Sequence, residues 1–108
     1  MNKSTEFMLC EEQMAENDDE FRNRCAQRLG RIIRYQRTLR NMSQIMLSEA
    51  ANLNHSYYCG LENGKGNMTV KKFMDICEGL HIPPEKIIHD LYYYDESDRR
   101  YFDRKKKN

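Results

Sequence analysis

Eight bases and two acids fall between residues 21 and 66: Arg22, Arg24, Arg28, Arg31, Arg34, Arg37, Arg40 and Lys65 against Glu49 and Glu62. That asymmetry suits a polyanionic partner, because clustered cations concentrate phosphate near a surface. The formal net charge of +1 hides it: residues 1–20 carry −6 and the other 88 carry +7. Composition alone leaves a solvated arginine-rich helix as open as a nucleic-acid site. Other chemistries fit less well. Cys10, Cys25, Cys59 and Cys77 form no C-x-x-C pair, and His55, His81 and His89 complete no zinc-finger spacing. The thiols read as small reduced hydrophobes, with redox sensing at Cys59 as the competing reading. No Ser/His/Asp set or carboxylate pair stands out, and Gly64-Lys65-Gly66 lacks the pattern that precedes a P-loop lysine. The expectation is a binding protein without catalysis, cofactor or metal.

The elements that must position such a surface are short helices. At 108 residues the chain suffices for one small domain. Helices suit a modest core because they satisfy their own backbone hydrogen bonds. No apolar run approaches the roughly 18 residues of a membrane span. The acidic start M-N-K-S-T-E-F-M-L-C-E-E does not resemble a signal peptide, so the expected location is the cytoplasm.

Residues 1–19 read as an acidic N-terminal extension, a flexible leader or a weak autoinhibitor folded onto the basic surface. Asn17-Asp18-Asp19 offers a helix cap, and Phe21, Cys25, Leu29, Ile32 and Ile33 then recur at helical spacing, predicting a helix to Arg40. Arg22, Arg24, Arg28 and Arg31 read as its solvated face. Ser43 caps a second helix from Gln44 to Ala51, burying Leu47 and Ala51. Asn52 follows as the residue expected at positive φ. Asn54 caps a third helix ending near Glu62, and residues 63–67 form a loop. Thr69 starts a fourth helix, with Val70, Phe73, Ile76, Cys77 and Leu80 on its buried face. Pro83-Pro84 opens a fifth, burying Ile87, Ile88 and Leu91. The fold class is all-α: a compact five-helix domain over 20–91, with N- and C-terminal extensions.

Two short helices joined at Asn52, with small Ser48 four positions before it, make a helix-turn-helix. In such motifs the second helix enters the major groove and its N-terminal residues meet base edges. The stretch M-S-Q-I-M-L-S-E-A-A-N-L-N-H-S-Y-Y-C-G-L-E-N-G-K-G-N resembles the phage-repressor and Cro type of helix-turn-helix, also called Xre-like. Ser43-Gln44, Leu47-Ser48, Asn52, Leu61-Glu62-Asn63-Gly64-Lys65 and Ile76-Cys77-x-x-Leu80 follow its pattern without a gap, and L-G-R-I-I-R-Y-Q-R fits its first helix. The likeness spans about Leu29 to Ile88. It departs from the pattern at Ser48, Asn52, Gln36, Tyr58 and Gly60, the last a common base-reading position.

The resemblance implies a repressor-like fold and a dimeric regulator binding double-stranded DNA. Carried over position by position, it puts Gln44, Asn54, Asn63 and Lys65 on phosphates, and His55, Ser56 and Tyr57 at base edges. It implies a structural ion pair between Arg37 and Glu62. Each position also has a plain alternative: a solvated first-turn Gln44, cap-region His55 and Ser56, and a surface-packed Tyr57. In the tail, 92–108, Tyr92-Tyr93-Tyr94 and Tyr101-Phe102 suit a homodimer or a protein partner, and Ser97–Lys105 suits either a further short helix or a frayed end. The basic end R-K-K-K suits nonspecific DNA affinity or simple solubility. The competing function is an antitoxin or adaptor that holds a protein through this tail and binds DNA only to regulate itself.

Overall fold

The computed structural model describes residues 18–94, so most of the acidic N-terminal extension, the expected helix over 97–105, Tyr101-Phe102 and the basic end lie outside the described residues. Within them are five helices and no strand: α1 (Asp18–Leu39), α2 (Gln44–Ala50), α3 (His55–Glu62), α4 (Val70–Leu80) and α5 (Pro84–Tyr92). None is long and apolar enough to cross a membrane.

Local chemistry accounts for the boundaries. Ser43 Oγ accepts from the Met46 amide at 3.0 Å, and Met46 Sδ accepts from the Ser43 amide at 3.5 Å, a reciprocal cap on α2. Asn54 Oδ1 caps α3 by accepting from the Tyr57 amide at 3.0 Å, and Thr69 Oγ1 caps α4 from Lys72 at 3.2 Å. Proline occupies the first turn of α5, where a missing N–H costs nothing. Asn52 takes the expected positive φ of 57°. Asn41 (55°) and His81 (57°) do the same after α1 and α4, a conformation that the sequence did not announce at either position.

Helix α1 packs on α3 and α5, α2 packs on α3 and α4, and α4 meets α5. Between them lie Ile32, Ile33, Leu47, Ala51, Tyr58, Leu61, Ile76, Cys77, Leu80, Ile82 and Ile87, all buried. Burial raises the Cys77 thiol pKa, in keeping with an inert core cysteine. Two residues assigned to buried faces are exposed instead. Val70 is 79% exposed: α2 meets α4 near its other end, where Gly79 lies against Leu47 and Ala50, so the first turn of α4 overhangs. Ile88 is 51% exposed, because with Ile87 turned into the core its neighbour points about 100° away around the helix.

The close approach of α1 to α3 depends on Gly30. A Cβ there would lie 2.5 Å from the carbonyl oxygens of both Leu61 and Glu62. Gly64, at φ 78°, tucks the loop after α3 against Gln27 of α1.

Candidate nucleic-acid interface

The C-terminal end of α3 is locked by one carboxylate. Glu62, whose side chain is fully buried, accepts from Arg37 Nε at 2.5 Å through Oε2 and from Arg37 Nη2 at 3.1 Å through Oε1. Oε1 also accepts from Gln44 Nε2 at 3.0 Å and from Arg34 Nε at 3.4 Å, and Oε2 accepts the Tyr58 hydroxyl. Arg37 further donates to the Met42 carbonyl at 2.7 Å, tying in the turn before α2. One buried charge thus holds α1, α2 and α3 together. Burial pushes the Glu62 carboxyl up, but hydrogen bonds from Arg37, Tyr58 and Gln44 outweigh it and leave its pKa below the ordinary range. Burial, then the charge of Glu62, raises the Tyr58 phenol, so it stays protonated and donates. Burial lowers the Arg37 pKa, but its bonds to Glu62 reverse that and raise it.

The expected Arg37–Glu62 pair is therefore formed, and the tyrosine at 58 supplies its fourth donor group. Two residues were missed. Arg34 lies one turn before Arg37 on α1, a spacing visible in the row of arginines. Tyr58 precedes Glu62 by four residues, which places both on one face of α3. Gln36, polar at an apolar position of the family pattern, is buried with its Oε1 accepting from Arg40 Nη1 at 2.7 Å.

The N-terminal turn of α3 is open. His55 and Ser56 are exposed there, beside the exposed cap Asn54. Tyr57 is half-buried: its hydroxyl donates to the Asn67 carbonyl, and the Lys72 ammonium lies 4.8 Å from its ring centroid. Gln44, half-buried at the first position of α2, turns its amide toward α3, with Oε1 accepting from the Cys59 thiol at 3.2 Å. Cys59 in turn lies 3.3 Å from His55 Nε2. Asn63 is exposed and its Oδ1 accepts from Arg34 Nη2 at 3.2 Å. Lys65 is exposed beyond the end of α3, beside an open groove shared with Arg22, Asn23 and Asn67. Among the described residues, no group of three or more His, Cys, Asp and Glu side chains could hold a metal ion.

The arginines assigned to a solvated face divide into two groups. Arg22 and Arg24 are exposed, near Asp19 and Glu20 at 3.8 and 3.5 Å, pairs that contribute little in water. Arg28 and Arg31 instead gather on Tyr94: one guanidinium lies 5.6 Å from its ring centroid and the other donates to its hydroxyl at 3.2 Å. The cause is tertiary: the residues just after α5 bring Tyr94 back against α1. Tyr92 and Tyr93 stay exposed, at 80% and 67%.

The arrangement is matched by known proteins. The restriction-modification controller protein C.AhdI from Aeromonas hydrophila superposes with a TM-score of 0.56 at 27% identity, over 57% of this chain and 94% of that one. The clp gene regulator ClgR from C. glutamicum gives 0.62 at 18% identity, over 68% and 96%. A single-residue variant of the controller protein C.Esp1396I gives 0.58 at 24% identity, over 66% and 95%. The last two likenesses concern the fold alone. No curated protein matched the chain in sequence. A family model described as helix-turn-helix matches residues 33–87, half of the chain and the whole of α2 and α3. The chain belongs to the Xre/Cro-type helix-turn-helix family of DNA-binding regulators.

Proposed function

We propose that this protein is a dimeric, sequence-specific regulator that reads the major groove of double-stranded DNA with α3 and represses by occluding a promoter. One observation carries the reading: α3 is clamped at its C-terminal end through Glu62 while its first turn presents His55 and Ser56 to solvent. A major groove about 12 Å wide accepts a helix presented in this way. His55 and Ser56 would meet base edges, with Tyr57 against the sugar-phosphate wall. Gln44 would offer a phosphate its remaining amide hydrogen and the unpaired N–H groups of the first turn of α2. Asn54, Asn63 and Lys65 would contact the flanking backbone. Phosphate contacts hold the register and base contacts specify the sequence. The regulatory role is supported by the controller-protein neighbour at 27% identity. A second copy would cover Ile88, Tyr92 and Tyr93 and place two reading helices about one DNA turn apart. The same surface supports the alternative, an antitoxin or adaptor with a protein held there.

Selection of duplexes from a random pool tests the reading. A sequence should be enriched, and its affinity should fall by orders of magnitude between about 50 and 200 mM salt. Gln44→Ala and Lys65→Ala should weaken every duplex, whereas Ser56→Ala or His55→Ala should change which duplex wins. Absence of any enriched sequence together with indifference to salt sinks the regulator reading.

A further inference from the structure

Three contacts link the buried Glu62 carboxylate to the imidazole on the open turn of α3. Gln44 Nε2 donates to Glu62 Oε1, the Cys59 thiol donates to Gln44 Oε1, and Cys59 Sγ faces His55 Nε2. Each proton in this chain has one permissible place. The ionised Glu62 only accepts, so the amide nitrogen of Gln44 must face it and the amide oxygen must face away. That oxygen also only accepts, so the single thiol hydrogen of Cys59 must point at it. The sulfur then turns a lone pair toward His55, and Nε2 must carry the hydrogen. In a neutral ring Nδ1 is left as an acceptor.

We propose that this Glu62–Gln44–Cys59 relay fixes His55 in its Nε2–H tautomer, making His55 an acceptor that selects an amino group at the base edge, adenine N6 or cytosine N4. Guanine and thymine present only acceptors in the major groove, so the ring would reject them at that position. Cys59 is a positioning residue here, acting through His55. The base preference rests on major-groove reading by α3, whereas the tautomer does not.

Long-range proton–nitrogen NMR of the full chain at mildly alkaline pH reads the ring directly, without DNA. A pyridine-like Nδ1 and a pyrrole-like Nε2 are expected for His55. Cys59→Ser, which keeps a donor and an acceptor at the same place, should preserve that signature. Cys59→Ala should average the two nitrogens while thermal unfolding shows the chain still folded. A pyrrole-like Nδ1 in the wild type, or a Cys59→Ala spectrum identical to it, overturns the relay.

Duplex selection supplies the second arm. At the base pair whose preference His55→Ala removes, replacing adenine with purine, or cytosine with 2-pyrimidinone, deletes the amino group. Wild type should lose about five- to tenfold in affinity, as for one hydrogen bond, and His55→Ala should lose nothing further. A loss on 7-deaza substitution at that pair, absent in His55→Ala, would show His55 donating and overturn the proposal. Failure of wild type to select any duplex overturns the DNA reading and with it the base preference. Failure of the nitrogen assignment overturns the relay and leaves the DNA reading standing.

Discussion

The Tyr58 hydroxyl donates to Glu62 one helical turn later, inside the core and on the same carboxylate oxygen that takes Arg37 Nε. The aromatic residue at 58 departs from the family pattern, and this bond explains it: the ring fills core volume while its polar tip completes the shell of the buried Glu62 carboxylate.

Tyr58→Phe keeps the ring and deletes that donor. A hydrogen bond to a buried charge contributes roughly 1.5–3 kcal/mol, and urea unfolding should show a loss of that order with an unchanged slope. Because the hydroxyl is buried and leaves His55 and Ser56 untouched, the duplex chosen from a random pool should stay the same. A variant as stable as wild type would mean that the bond contributes nothing net.

Removing the carboxylate is more severe. Glu62→Ala leaves the Arg37 side chain, only 11% exposed, without its counter-charge. Such stranding typically costs about 3–5 kcal/mol. The first turn of α3 then loses its anchor to α1 and α2, so DNA affinity should fall even at temperatures where the variant remains folded. Equal affinity per folded molecule would show that the clamp does not position α3.

The same shell makes stability depend on pH. The Glu62 carboxyl titrates lower in the folded chain than in the unfolded one, so the unfolded chain binds the extra proton as the medium turns acid. The contribution is present above the ordinary carboxylate value of about 4.3 and disappears as pH falls through the folded value. Melting temperature should therefore drop more steeply below about pH 5 in wild type than in Glu62→Gln. The raised Tyr58 phenol acts at the other limb, with stability declining above about pH 10, where the unfolded phenol ionises.

Two glycines on helices should respond in opposite directions to alanine. Gly30→Ala drives a methyl into the backbone of Leu61 and Glu62. Calorimetry should show a loss of about 1–3 kcal/mol, the usual cost of overpacking. At Gly60 a Cβ would meet nothing closer than 3.9 Å, so alanine there should gain up to about 1 kcal/mol of helix propensity. Gly60→Ala also bears on recognition. Unchanged or tighter DNA binding would mark position 60 as a surrendered contact, and weaker binding in a stabilised chain would mark close approach of the backbone to DNA.

The proposed dimer surface is best tested by point changes. Leu91 and Tyr94 pack against the core, so a chain cut after Asp90 would lose structure along with any interface. Ile88→Asp and Tyr92→Asp alter only exposed side chains. Sedimentation should find dimer for wild type and monomer for the pair of substitutions, with helicity unchanged. Identical sedimentation of both would remove this surface from the proposal.

The local order of the domain was legible because it rests on short-range chemistry. Ser43, Asn54 and Thr69 cap the helices that follow them, Asn52 makes the turn, and the 3.6-residue periodicity marks Ile32, Leu47, Ile76 and Ile87 as core. The Arg37–Glu62 pair was legible only through family resemblance, since nothing in spacing joins residues 25 positions apart. Tertiary packing alone decided the rest. Where neighbouring helices overlap determines that Val70 and Ile88 face solvent although their periodicity says core. The return of the chain along α1 converts Arg28 and Arg31 from solvated charges into partners of Tyr94. The convergence of three helices on one carboxylate turns Gln44 inward and sets Cys59 beside His55. A sequence specifies which side chains can donate and accept, but the direction in which each must do so follows from what the folded chain places opposite it.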